Sequence, residues 1–371
     1  MKKWLSLALA GAFATVGMPG LALAADPIQV GVIANLTGQD VKTSVQMSHG
    51  VELAADDINA AGGINGQPIK LIVEDSEYRA QEALNAATKL YTVDKVEAAI
   101  MFGGSSLMIP VAQLAKEQGK VLLNTSSSSP KLGEYPGTLF SILPLDDILA
   151  KDLGNLVADS GAKTAAVVVP NNAFGMGVAD AAAAAFKEKG GTIVETIAYT
   201  EGQPNYRADI QVLASKKPDA IITCGYGDDS RTILRTVREL GIDAPWYAAY
   251  PSILEVENKD WMNGKLSGVD NGGYSQGVGK AVLDKYKAKY NEDEVMAHVY
   301  YGYDAMMVLA EAMKKGGTDA ASIAKTMPEV VKTYEGASGK IVWDDRGQRI
   351  DPPLDVITYK DGKFETTGTR N

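Results

Sequence analysis

"IQVGVIANLTGQDVKTSVQMSHGVELAADDINAAGG", residues 28–63, contains both halves of the unit from which the chain is built. Its first seven residues, IQVGVIA, are a short β-branched apolar run, the pattern of a buried strand. Further on, Val51, Ala54, Ala55 and Ile58 fall on one helical face, and Gly62-Gly63 marks where that helix stops. One strand feeding one helix predicts an alternating α/β chain.

The alternation continues outward. IKLIVED (69–75), a helix in AQEALNAATKLY with Leu84, Ala87 and Tyr91 aligned, VEAAIMF (96–102), a helix in LMIPVAQLAKEQG and KVLLN (120–124) follow in turn. The rhythm then restarts at AAVVVP (165–170) and runs through GMGVADAAAAAFKEKGG, TIVETIAY, YRADIQVLASKKP, AIITCGY (220–226), SRTILRTVRELG and PWYAAY (245–250). The last third adds helices at about 277–290, 297–315 and 319–333 and a hairpin-like GKIVWDDRGQ. Alternation of this kind implies parallel sheets covered by helices on both faces, so two doubly wound parallel-sheet lobes are predicted.

The opening MKKWLSLALAGAFATVGMPGLALAAD has two lysines and an apolar centre broken by Gly17, Pro19 and Gly20, then Ala22-Leu23-Ala24. This is the pattern of a secretory signal peptide over residues 1–24. Its removal leaves 34 basic against 46 acidic side chains, a net charge of −12 rather than −10. No later run approaches the roughly 20 apolar residues that cross a bilayer, and no cysteine follows the cleavage site, so a free periplasmic protein is expected. Cys224 is the single cysteine, which excludes an intrachain disulfide. The acidic balance and the lack of a Lys/Arg cluster argue against nucleic acid.

Ligands of open α/β sheets bind beyond the carboxyl ends of the strands. Those ends read NLTG (35–38), FGGSS (102–106), NTSSSSP (124–130), PNNAFGMG (170–177), CGYGDD (224–229) and AAYPS (248–252). Ser105 and Ser106 open a helix, where they either cap it or join its free N–H groups in holding an anion. NTSSSSP is by composition a turn, with Pro130 forcing Ser129 to be extended. Its position after a strand instead turns hydroxyls toward the same corner as Ser105. Phe174 is expected to face the cleft, and Tyr226, followed by Gly227, to be exposed. Chemistry has fewer candidates. His49 and His298, the two histidines, lack metal-ligand spacing, Gly175-Met176-Gly177 does not continue as G-x-G-x-x-G, and no G-x-S-x-G occurs. No catalytic residue, metal or cofactor is therefore predicted.

DINAAGGINGQPIKLIVED, GGSSLMIPVAQLAKEQGKVLLNTSSSSPKL, DAIITCGYGDDSRTILRTVRELG, YGYDAMMVLAEAM and GKIVWDDRG, in this order and spacing, resemble the periplasmic leucine/isoleucine/valine-binding protein family, the type I solute-binding proteins of ABC importers. A monomer with no cofactor is expected, and the resemblance implies lobes of 26–145 plus 274–353 and 146–273 plus 354–371. Three hinge crossovers near 142–146, 269–275 and 351–356 would let the lobes close on a small molecule and present it to a membrane permease. It maps the carboxylate-holding positions onto Ser105, Ser126 and Ser128, a second-lobe tyrosine onto Tyr226 and a helix aromatic onto His298. Thr125, Ser127 and Ser129 would shape the loop.

Two positions depart from the family pattern: Tyr250 stands where an acid pairs with the ligand's ammonium, and Phe174 stands where a tyrosine is found. A buried ammonium with no carboxylate partner is costly. The expected ligand is thus a small carboxylate, aromatic or aliphatic, without an α-amino group. The alternative is an aliphatic, branched-chain amino acid whose ammonium is reached by Asp228 or Asp229, residues otherwise read as N-terminal helix charges.

Overall fold

A computed structural model describes residues 26–256, 259–272, 277–292 and 297–370; the expected signal peptide, 1–24, lies outside them. The first sheet is wholly parallel, in the order β2-β1-β3-β4-β5, built from β1 (Ile28–Ala34), β2 (Ile69–Asp75), β3 (Ala98–Met101), β4 (Val121–Asn124) and β5 (Leu139–Ser141). Helices α1 (Val41–Ala60), α2 (Ala80–Thr88) and α3 (Ser105–Gln118) connect its strands. The chain then enters the second lobe through α4 (Asp146–Asp159), β6 (Thr164–Pro170), α5 (Ala173–Glu188), β7 (Thr192–Tyr199), α6 (Arg207–Lys216), β8 (Ala220–Thr223), α7 (Gly227–Glu239), β9 (Trp246–Ala249), α8 (Lys259–Met262) and β10 (Leu266–Asn271). It returns through α9 (Gly277–Tyr290), α10 (Ala297–Gly316), α11 (Ala320–Val331) and the short strands β11 (Glu335–Gly336), β12 (Gly339–Lys340), β13 (Val342–Trp343) and β14 (Arg349–Ile350). Two last strands, β15 (Leu354–Lys360) and β16 (Lys363–Arg370), rejoin the second sheet.

That second sheet, β16-β15-β10-β9-β8-β6-β7, is parallel from β10 to β7 but ends in an antiparallel hairpin. Asp361 and Gly362 both have positive φ, 49° and 86°, the backbone that a tight Asp-Gly hairpin requires. The sequence reading of purely parallel lobes passed over this signal.

Strand alternation sorts the core into layers. Val30, Val32 and Ala34 of β1 pack with α1 and α10, while Ile33 points to the opposite face, against α2 and α3. In the second lobe Val167 and Val169 pack with α4 and α5, and Ala166 and Val168 with α6 and α7. The face predicted for α1 is buried throughout, with Val51 and Ala54 fully so; each such aliphatic side chain larger than alanine contributes about 1.5–3 kcal/mol. Glycine lets α1 and α10 cross closely. A Cβ on Gly50 would lie 2.0 Å from the Val299 carbonyl, and one on Gly302 would lie 2.3 Å from that of Met47. Asp56 and Asp57 of α1 pair with Lys289 (2.7 Å) and Lys285 (2.6 Å) of α9.

Where chain segments pass between the lobes, Arg349 ties them together. Its guanidinium, 2% exposed as a residue, donates to the carbonyls of Ile142 (2.8 Å), Ser338 (2.8 Å) and Lys340 (2.7 Å) and to Ser338 Oγ (3.1 Å). Gln348 adds a bond from Nε2 to the Leu139 carbonyl (3.2 Å) and accepts the Ser141 hydroxyl (2.6 Å).

Candidate ligand-binding cleft

The carboxyl ends of both sheets face each other across a cleft of about 980 Å³, within the range of small-molecule pockets. All eight sequence-predicted residues line it: Ser105, Ser106, Ser126 and Ser128 from the first lobe, Phe174, Tyr226 and Tyr250 from the second, and His298 from the first turn of α10.

The serine loop is largely occupied with itself. Asn124 Oδ1 accepts the N–H groups of Ser126 (3.1 Å) and Ser127 (2.8 Å), and the Thr125 hydroxyl donates to the Met101 carbonyl (2.8 Å). Ser126 Oγ accepts from Gly103 N (2.8 Å) and donates to the Gly103 carbonyl (2.9 Å), which also receives the Ser127 hydroxyl (2.6 Å). The loop is thus stapled to the backbone leading into α3. Ser105 Oγ accepts the Ser129 N–H (3.2 Å), so its own proton remains to donate. Ser106 Oγ accepts the N–H of Ala173 at 3.3 Å, a bond that crosses from lobe to lobe. Gly104 caps α3 without a side chain, and no acidic residue occupies the helix's first turn. This leaves a positive helix end in the cleft.

His298 adds a neutral acceptor. Its Nδ1 lies 2.9 Å from the Thr125 carbonyl, so that nitrogen carries the proton and Nε2 is left with its lone pair. Burial between Phe102 (5.1 Å) and Tyr301 (5.8 Å) pushes its pKa down to about 4, and the Thr125 carbonyl only partly opposes this.

The opposite wall is aromatic. Phe174 stacks with Tyr226 at 6.1 Å and tilts against Tyr250 at 6.0 Å. Tyr250 has φ 53°, a strained conformation for a bulky residue, and its hydroxyl donates to Asp146 Oδ1 at 3.2 Å. Asp146 is fully buried. Its burial drives the carboxyl pKa well above the ordinary range, although the hydroxyls of Ser128 and Tyr250 pull the other way. At this end of the cleft the charged form of the acid is thus disfavoured.

Tyr78, Asn172 and Glu201 are among the cleft residues that were not singled out from sequence. Tyr78 follows β2 and Glu201 follows β7, so the rule about strand ends could have found both. Asn172 caps α5 through Oδ1 to Gly175 N (2.9 Å). Asp228 and Asp229 begin α7 as expected. Asp228, its side chain 86% exposed, pairs with Arg231 (2.9 Å), and Asp229 accepts the Tyr206 hydroxyl (2.6 Å). Among the described residues, no group of three or more His, Cys, Asp or Glu is placed to hold a metal ion.

The periplasmic binding protein family model matches residues 27–363, nearly the whole chain. The chain belongs to that family. Several known proteins resemble it along most of their length. The amino acid binding protein of Pseudomonas aeruginosa is 27% identical over 328 residues, covering 86% of this chain and 87% of its own. The branched-chain amino acid transporter substrate binding protein of Streptococcus pneumoniae, solved with isoleucine, superposes with a TM-score of 0.82 at 25% identity, covering 93% of this chain and 99% of that one. A solute binding protein of R. palustris, solved with benzoate, shares the fold, with a TM-score of 0.80 at 17% identity and coverage of 92% and 96%.

Proposed function

We propose that this periplasmic binding protein is the exported, monomeric receptor of an ABC importer. It captures a small carboxylate, aromatic or aliphatic and lacking an α-amino group, and delivers it to a membrane permease. Capture is by hinge closure of lobe 26–145 plus 274–353 on lobe 146–273 plus 354–371. The signal peptide directs the chain to the periplasm; among the described residues no helix is long and apolar enough to cross a membrane.

The observation that carries the ligand class is Tyr250. The position that the family resemblance assigns to an ammonium-binding acid holds a phenol turned onto Asp146, and Phe174 and Tyr226 extend an apolar wall beside it. On the other side the Ser105 hydroxyl and the start of α3 offer donors to a carboxylate. Burial disfavours the charged form of Asp146, which lessens its repulsion of that carboxylate.

A second reading, an aliphatic amino acid receptor, is favoured by the amino acid binding relative and the isoleucine-bound neighbour. The acids expected to reach its ammonium, Asp228 and Asp229, both already have partners. Calorimetric titration with leucine, isoleucine, benzoate and hexanoate separates the two. Binding of a plain carboxylate is expected; tight leucine binding with no response to either plain acid would replace the first reading by the second. In that case Asp228→Asn or Asp229→Asn should abolish the leucine response.

A further inference from the structure

We infer that Glu201 is a specificity-determining acceptor at the outer end of the cleft. The ligand is then a carboxylate with a hydrogen-bond-donating group, a hydroxyl or an amine, at the end remote from its carboxylate. This rests on the carboxylate reading above and narrows it.

The cleft has two chemically different ends. Ser128 and Tyr250 lie at the crossover end, against Asp146. Glu201 lies at the rim, because with Gly202 it also lines a shallow depression beside Gly38, Gln39, Tyr78 and Arg79. At the inner end the acid is buried and receives hydroxyl protons. The outer end carries a carboxylate.

Glu201 is held in place and left uncompensated. Tyr226 donates to Oε1 at 2.6 Å and Asn172 Nδ2 to Oε2 at 2.8 Å. Asn172 Nδ2 also lies 3.1 Å from the Tyr226 oxygen. The single proton of Tyr226 is thereby committed to Glu201, so this tyrosine meets a ligand with its ring, not as a donor. Each Glu201 oxygen keeps a further lone-pair site. Among the described residues no lysine or arginine forms an ion pair with it. A carboxylate in a closing cleft without a cation is costly unless another donor arrives, and the ligand is the group that enters.

The roof over this end is shaped for closure. The Tyr78 ring meets that of Tyr226 edge-on at 6.3 Å. Glu77 and Tyr78 both have left-handed backbone, φ 50° and 54°, the kind of strain that persists where the surroundings fix a functional geometry. Tyr78 Oη lies 2.9 Å from where a Cβ on Gly104 would stand, so only glycine there admits it. A ligand reaching from α3 toward the rim passes beneath this pair and ends at Glu201. A second carboxylate there meets like charge; a hydroxyl or amine meets an acceptor.

The test uses two probe series that differ only at the far end: benzoate, 4-hydroxybenzoate and terephthalate; hexanoate, 6-hydroxyhexanoate and adipate. In at least one series the full-length mature protein should bind the hydroxy acid about tenfold more tightly than the plain acid, the scale of a hydrogen bond to a charged group, and the diacid more weakly than the plain acid. Glu201→Gln should bring the hydroxy and plain acids within about twofold and raise the diacid relative to both. Tyr226→Phe, which keeps Glu201, should retain the hydroxyl preference. Should Glu201→Gln fail to fold, judged by circular dichroism, Glu201→Asp serves instead and should lose most of the preference. Unchanged ratios in the Glu201 variant would overturn this inference while leaving the carboxylate reading in place. Leucine binding with silence from all six acids would overturn both.

Discussion

Two buried titratable side chains at the cleft make opposite demands on pH. His298 is neutral in the folded protein down to about pH 4, whereas an unfolded histidine takes its proton near 6.5. Between these values the unfolded chain holds the extra proton, so stability falls on acidification from about pH 6.5 to 4. His298→Gln should flatten that part of the profile in urea denaturation at pH 7.0 and 4.5. For Asp146 the sign reverses. Its folded pKa is raised, so its contribution to stability is fully present below about pH 3.8 and is lost as pH rises toward its folded value. Asp146→Asn, near in shape and never ionised, should therefore stabilise the protein at pH 7, with a gain that shrinks as pH approaches 4. A loss of stability at pH 7 greater than at pH 4 would show that the charged form is needed. At this scale the sequence was informative about residue type and position, since all eight predicted residues line one cleft. Their hydrogen-bond roles were not legible. Nothing in NTSSSSP tells that Ser126 is spent on Gly103 while Ser105 keeps a proton, because the partners sit about 24 residues away.

Elements meet most tightly where a side chain is missing or a buried cation replaces water. On α5, a Cβ at Gly177 would lie 2.9 Å from Pro130 Cδ and 3.1 Å from Asp146 Oδ2, on the seam between the lobes. Alanine suits a helix better than glycine, so Gly177→Ala should leave the unliganded melting temperature level or slightly higher while weakening ligand binding about tenfold by wedging the seam. Equal losses in melting temperature and affinity would mean instead that the helix itself is damaged. Arg349 works in the other direction. Replacing it with methionine leaves the carbonyls of Ile142, Ser338 and Lys340 without its donors, and about 3 kcal/mol or more should be lost, read by urea denaturation. The periodicity of α1 and β1 was enough to place both elements. The β15–β16 hairpin was missed because its edge strand β16 has only exposed and half-buried positions, so no continuous apolar run announces it; its Asp-Gly turn did.

For the molecule as a whole, the bond from Ala173 to Ser106 and the Tyr78–Tyr226 contact place the lobes against each other. A ligand that touches both walls favours this arrangement by the difference in its affinity for closed and open forms. X-ray scattering should show the radius of gyration contract on adding the bound acid, and contract less for Gly177→Ala; an unchanged radius in both would remove closure from the mechanism. Two-lobed architecture was readable from the restart of the strand-helix rhythm at residue 165, a property of pattern alone. The hold on Glu201 was not, because the hydroxyl of Tyr226 and the amide of Asn172 that fix it sit 25 and 29 residues away. The self-stapled serine loop has a consequence for how such a receptor diversifies. Since the hydroxyls of Thr125, Ser126 and Ser127 are bonded to the carbonyls of Met101 and Gly103, the serine wall is a finished part, held by the backbone behind it. Variation, whether in nature or at the bench, is then free to fall on the opposite wall, and a library confined to Asn172, Phe174, Glu201, Tyr226 and Tyr250 is the place to look for receptors retuned to new cargo.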